Sequence, residues 1–158
     1  MRLKPITFID TEVEPNSGKI LDIGGIKTDG SSFHSSSIAD FRQFLQGAAF
    51  ICGHNIINHD LKYLRKAGVA SEYNTVDILD TLFLSPLLFP AKPYHALVKD
   101  DKLQTQELNN PLNDSIKARD LFYDEVSAFQ RLDSELKQIL ALLLQTTGEF
   151  GGFFKYLG

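Results

Sequence analysis

The N-terminal part of the chain alternates short apolar runs with turn-forming residues, a pattern typical of β-strands. Residues 6–9 are apolar and lead directly into charge, which predicts a buried central strand over residues 5–11. A second apolar run predicts a strand over residues 18–28, and the turn-forming residues 15–18 join the two as an antiparallel hairpin. Residues 32–36 predict a short third strand.

Further along, apolar positions recur with helical and strand-like periods in turn. We expect a helix over residues 39–47, a strand over 49–53, a helix over 58–68, a strand over 74–78 and a helix over 80–88. Residues 99–112 lack periodicity and predict a long loop, after which a helix begins near Asn113. This alternation predicts a single α/β domain with a mixed sheet flanked by helices.

The C-terminal part is unusually apolar. The helix predicted at residues 136–144 is apolar around most of its circumference, which favours burial on more than one side, and the aromatic-rich residues 148–158 follow it. A soluble monomer seldom ends in an exposed aromatic cluster. We therefore expect residues 1–158 to be one domain excised from a longer protein, or this end to dock on a partner. The alternative is that the segment folds onto its own domain.

Asp10 and Glu12 lie at the end of the apolar run of the first predicted strand. Alternate residues of a strand share a face, so the two carboxylates should lie on one side, about 6.5 Å apart along the backbone. That spacing would let both approach one cation. For this pair alone, a strand that simply runs into a polar loop is the alternative.

Asp60 shares a helical stripe with Tyr63, Leu64 and Ala67, so its carboxylate is expected on the face that turns towards the core. A buried carboxylate needs a metal, a basic partner or a proton. The alternative is an acid that interacts with the dipole at a helix N-terminus.

Asp114 leads a similar stripe that continues through Phe122 to Glu125. Here the alternative is local, because Asn113 or Asp114 could cap the predicted helix.

Taken together, these segments resemble the DEDD superfamily of 3′–5′ exonucleases. The sequence FIDTE at residues 8–12 is similar to its first motif, GHN-x-x-x-x-D-x-x-x-L at residues 53–64 to its second, and Asp114 to the helix-borne Asp of its third. Similar proteins also carry the Asp80-Thr81-Leu82 found between the second and third motifs. The resemblance runs from about Thr7 to Phe122, most of the chain.

The resemblance implies a ribonuclease H-like fold and two Mg²⁺ or Mn²⁺ ions held by Asp10, Glu12, Asp60 and Asp114. Hard divalent cations prefer carboxylate oxygens, and two of them can clamp the attacking and leaving oxygens of a phosphoryl displacement. The implied activity is hydrolysis of DNA from single-stranded 3′ ends, releasing nucleoside 5′-monophosphates during repair or replication. The implied substrate contacts are Thr11, Asn55 and Asn109.

A narrower resemblance concerns residues 107–114 and 150–158, which look like segments of exonuclease domains fused ahead of RecQ-type DNA helicases in bacteria. It implies a fused or associated helicase as partner.

The resemblance is incomplete at the general base. Similar proteins place a His five residues, or a Tyr four residues, before the last Asp, and these positions are Asn109 and Asn110 here. An amide has no useful basicity near neutral pH. His95 is the candidate substitute base, with an ordinary surface histidine as the alternative, and His59 is expected to face away from Asp60 on its helix.

Composition limits the partners. The chain of 158 residues has a net charge of −4, which argues against a broad basic surface for nucleic acid. A strand end would instead depend on a local rim, for which the candidates are Lys92, Lys99, Lys102 and Lys117. The lone Cys52 lies in an apolar run and predicts a buried thiol in a reducing compartment.

No secretory signal or membrane-length apolar run is present, so we expect a cytoplasmic protein with no membrane partner. Two other functions stay open from the sequence. One is an RNA 3′–5′ exonuclease with the same chemistry, and the other is a degenerate module that binds single strands without turnover.

Overall fold

The computed structural model describes residues 3–97 and 110–158 of the chain. In these residues one five-stranded sheet has the order β3-β2-β1-β4-β5. The strands are β1 (Ile6–Val13), β2 (Ile20–Lys27), β3 (Ser32–Ser35), β4 (Phe50–Gly53) and β5 (Ile78–Asp80). The first three pair antiparallel, whereas β4 runs parallel to β1 and β5 runs parallel to β4. The predicted α/β class with a mixed sheet is confirmed.

Helices flank this sheet on both faces. In the described parts of the chain they are α1 (Ile38–Phe44), α2 (Asp60–Lys66), α3 (Thr81–Leu88), α4 (Pro111–Arg131), α5 (Ser134–Leu144) and α6 (Gly151–Leu157). No helix among these residues combines the length and apolar character that crossing a bilayer requires.

Two predicted boundaries are wrong for a local reason. The strand predicted at 74–78 lies at Ile78–Asp80, because Asn74 and Asp77 cap each other around a short 3₁₀ turn, Thr75–Asp77. Helix α2 is shorter than predicted at its start, since residues 54–59 form turns.

Side chains alternate across β1 and divide the core into two clusters. Ile9 packs with Phe41 and Leu64 on the face covered by α1 and α2. Phe8 packs with Phe122 and Phe153 on the face covered by α4 and α6. Because Asp10 lies on the Phe8 side and Thr11 on the Ile9 side, the end of β1 presents polar groups to both faces.

Burial at the C-terminal end differs from the prediction. No residue of α5 is buried, and Leu142 and Leu143 are 74% and 67% exposed, so the prediction that α5 is buried on more than one side is wrong. The aromatic segment behaves differently, since Phe153 is fully buried with its ring against Phe122 and Phe129. This segment packs on its own domain, whereas α5, which the alternative interpretation also included, has no buried residue.

Candidate active site

Asp60 is brought to the end of β1, where that strand extends past its parallel neighbour. Strand β4 pairs with β1 only at residues 6–8, so Thr11 lies beyond the pairing. Asp60, the first residue of α2, takes the place of a strand partner there. Its Oδ1 accepts hydrogen bonds from the Thr11 backbone N–H at 2.8 Å and the Thr11 hydroxyl at 2.6 Å. The second acidic segment is thus fixed to the residue between Asp10 and Glu12.

The Asp60 carboxyl is buried, as the helical stripe predicted, with 1% of its surface exposed. Its Oδ2 has no hydrogen-bond partner among the described residues. Burial raises the pKa of Asp60 to about 6, although the hydrogen bonds from Thr11 act in the opposite direction. One oxygen is therefore committed to Thr11, and the other is an acceptor that a proton or a cation would satisfy.

Asp114 reaches the same region because α4 begins directly above β2. Asn110 caps this helix, its Oδ1 accepting from the backbone N–H of Leu112 at 3.0 Å. The helix therefore begins at Pro111, earlier than predicted, and Asn113 and Asp114 are not its cap. The Asn110 amide is thus used to start the helix.

Gly24 permits this close approach of helix and strand. A Cβ atom at this position would lie 2.1 Å from the backbone nitrogen of Leu112 and 2.1 Å from the carbonyl carbon of Pro111. Such distances are far below van der Waals contact, so any side chain would displace the start of α4. Since Gly24 pairs with Asp10 in the sheet, it sets how closely Asp114 approaches Asp10.

Three of the predicted acids line one open cavity of about 450 Å³, which we call the acidic cavity. Its acids are Asp10 and Glu12 from β1 and Asp114 from α4. Thr11 also lines it, so Asp60 is held by a residue of its wall. Within residues 3–97 and 110–158, however, no three histidine, cysteine or acidic side chains lie close enough together to form a metal-binding group.

Asp80 organises the loop that forms another wall of the acidic cavity. Its carboxylate accepts hydrogen bonds from the backbone N–H groups of Asn55 at 2.9 Å and Ile57 at 3.0 Å. It also caps α3 by accepting from Leu82 N–H at 3.0 Å. These bonds hold Asn55 in the left-handed region, with φ of 65°, at the cavity wall. The Asp80 carboxylate therefore holds the loop of residues 54–59 in place beside the start of α3.

His54 is part of the same arrangement. Its Nδ1 lies 2.8 Å from the Thr81 hydroxyl, and burial lowers its pKa to about 4. The ring is therefore uncharged at neutral pH and lines the acidic cavity as a neutral polar group.

Two other histidines lie near the acidic cavity. His95 lines a neighbouring cleft, with its Nδ1 2.7 Å from the Ser85 hydroxyl, and its backbone interacts with His54 of the acidic cavity. His59 does line the acidic cavity, and its interaction with Asp60 helps to lower the pKa of that carboxyl. Contrary to the prediction, His59 is not part of the helix, because it precedes α2 as its N-cap, with φ of −127° and ψ of −86°.

Of the remaining predicted positions, some lie within the described residues and some outside them. Thr11 uses its hydroxyl to hold Asp60. Asn109, Lys99 and Lys102 lie outside the described residues.

Neither a scan against protein-family models nor a search of curated proteins gives a match to this chain. Interpretation of the site therefore depends on its residues and their geometry.

Proposed function

We propose that this protein is a metal-dependent 3′–5′ exonuclease that hydrolyses DNA from its 3′ ends and releases nucleoside 5′-monophosphates. The observation that carries the proposal is the bond between Asp60 and Thr11, 49 residues apart, which fixes Asp60 to the residue that separates Asp10 and Glu12 in β1. Asp114, from a third segment, lines the cavity that Asp10 and Glu12 line. A nuclease site needs acids from distant segments in one region, and the end of β1 has acids from three segments of the chain near it.

A ribonuclease H-like arrangement is part of the proposal. Its support is the order of the sheet, with an antiparallel β1-β2-β3 unit followed by parallel β4 and β5, and the position of α4 across the same face as Asp10.

The donor set suits Mg²⁺ or Mn²⁺ in kind, because every candidate ligand is a carboxylate oxygen. The unpartnered Oδ2 of Asp60 is a buried acceptor of the kind a cation would satisfy. Asp10, Glu12, Asp60 and Asp114 would hold the ions, and these side chains would have to draw closer together than they lie. Bound ions would supply charge stabilisation at the phosphodiester and lower the pKa of the attacking water.

The chain's own residues position the reaction. Thr11 fixes the Asp60 carboxylate in one orientation with two hydrogen bonds. Asp80 holds the loop that brings Asn55 to the cavity, where its amide is available to a nucleotide. The Asn110 amide caps α4 and accepts no proton, so the protein supplies no base from that position.

That missing base favours a second candidate, a module that binds single strands without hydrolysing them. Its support is the Asn110 cap together with the open arrangement of the carboxylates.

The test incubates 3′-labelled single-stranded DNA, or matched RNA, with the protein in Mg²⁺ or Mn²⁺. We expect release of labelled mononucleotides, and Asp60→Asn should lower the rate at least about 100-fold, because it removes a charge and keeps the acceptor that Thr11 needs. The matched control is Asp40→Asn, an exposed acid in the first turn of α1, which should leave the rate unchanged.

Equal rates for Asp60→Asn and the unsubstituted protein would contradict the proposed site. If the folded protein binds the strand but releases no mononucleotides, the binding module is favoured. Faster hydrolysis of RNA than of DNA would reassign the substrate and keep the chemistry.

A further inference from the structure

We infer that a nucleic acid strand with its 3′ end in the acidic cavity continues into a neighbouring cleft, where a base stacks on Tyr94. The Tyr94 cleft has a volume of about 500 Å³ and is lined by residues that include Lys92, Tyr94, His95, Lys117, Asp120 and Asp124. The inference rests on the proposed function, because it names the path of the same substrate.

The two cavities adjoin each other along one segment of the chain. Ala96 and Leu97 line both the acidic cavity and the Tyr94 cleft. The bond between His95 and Ser85 attaches the start of this segment to α3. A strand that leaves the acids in this direction meets Tyr94 next.

Tyr94 is suited to stacking because its side chain is presented to solvent. It is 84% exposed, more than any other large hydrophobic side chain exposed in the described residues. Exposed aromatic rings at nucleic-acid sites stack on bases of any sequence, and each stacked base contributes about 1–3 kcal/mol. An exonuclease that removes every nucleotide in turn needs such sequence-tolerant contacts.

Charge in the Tyr94 cleft is nearly balanced. We therefore expect base stacking to contribute more to binding than attraction of the phosphates. Lys92 and Lys117 line it together with the acids Asp120 and Asp124, and Asp120 also pairs with Arg119 at 2.9 Å. The whole chain carries a net charge of −4. Binding should therefore depend weakly on salt, with a slope of log K against log[salt] of about −1 or smaller in magnitude.

The test measures binding of a fluorescent ten-nucleotide thymidine strand in Mg²⁺ by anisotropy, in the Asp60→Asn background so that the strand stays intact. Adding Tyr94→Ala should weaken binding about 10-fold, and Tyr94→Phe should restore it to within about twofold, because the ring is kept. The control Leu142→Ala removes a side chain that is 74% exposed on α5 and should change nothing. With Asp60 intact, Tyr94→Ala should raise KM for this strand and leave kcat unchanged.

Unchanged binding by Tyr94→Ala would overturn the inference, even if mononucleotides are released. Equal weakening by Ala and Phe, or a steep salt dependence, would also overturn it, because the contact would then not be stacking. Tyr94-dependent binding without hydrolysis would support the inference and contradict the exonuclease proposal.

Discussion

Glu125 on α4 is a buried acid that the candidate site does not use. It is 0% exposed, and neither carboxyl oxygen has a hydrogen-bond partner among the described residues. Burial raises its pKa to about 10, and the charge of Asp80 acts in the same direction while Lys92 opposes it. The Glu125 carboxyl is therefore protonated at neutral pH inside the core.

This protonation makes stability depend on pH in a defined direction. The pKa of Glu125 is higher in the folded state than its ordinary value of 4.5, so its contribution to stability is complete below that value and is lost as the pH rises towards 10. Between about pH 5.5 and pH 8.5, the free energy of unfolding should fall by about 1–3 kcal/mol more in the unsubstituted protein than in Glu125→Gln. Urea unfolding at several pH values measures this difference.

The control for that measurement is Glu135→Gln, an exposed acid on α5, which should follow the unsubstituted protein. Parallel profiles for Glu125→Gln and the unsubstituted protein would show that Glu125 does not titrate as its burial requires.

At the residue scale, the sequence predicted what depends on local periodicity. The burial of Asp60 is confirmed, and so is that of Cys52. The partner of Asp60 could not be predicted, since its bond to Thr11 depends on where β4 stops pairing with β1. His59 was assigned to the helix, but α2 begins at Asp60, two residues after the predicted start, and no side-chain cap marks that start.

At the element scale, the position of α4 on β2 controls the acidic cavity. Gly24→Ala would place a methyl group against the backbone at Pro111 and Leu112, which side-chain rotation cannot relieve. We expect a loss of about 1–3 kcal/mol in the free energy of unfolding and a lower rate of the proposed exonuclease reaction, because Asp114 moves with the helix. Denaturant unfolding and the labelled-DNA assay together measure both effects.

Gly148→Ala is the matched control, since a Cβ there meets nothing within 4 Å. Full activity of Gly24→Ala would mean that the start of α4 does not position the site.

The sequence predicted the type of an element correctly where the hydrophobic periodicity is strong and capping residues mark its ends. The observed α3, Thr81–Leu88, lies within one residue of its prediction, and its start is marked by the Asp80 cap. The start of α4 was missed because Asn110 and Pro111 fell in a stretch without periodicity, although Asn followed by Pro is a recognised start signal.

At the scale of the whole molecule, hydrophobicity alone did not decide burial. Helix α5 is apolar around most of its circumference, yet only partly buried positions such as Leu140 pack on the domain. A helical pattern shows which faces are apolar, but it does not show how many of them the fold covers. The aromatic residues of α6 were covered because the face of the sheet beside α4 had room for Phe153.

Cys52 gives the molecule a built-in reporter. It is the single cysteine of the chain, it lies fully buried in β4, and burial raises the pKa of its thiol. The thiolate is the form that reacts with alkylating reagents. Modification of the native protein should therefore require rare openings of the central sheet. We expect labelling at least about 100-fold slower than in urea, measured by mass spectrometry.

A Cys52→Ala, Leu142→Cys double variant supplies the rate for an exposed thiol, and equal rates in the two proteins would contradict the expectation. If the expectation holds, the labelling rate in the absence of denaturant measures how often the central sheet opens beneath the carboxylates. Ligands that make these openings rarer could then be ranked by how far they slow the alkylation of Cys52, a reaction that does not involve the acids.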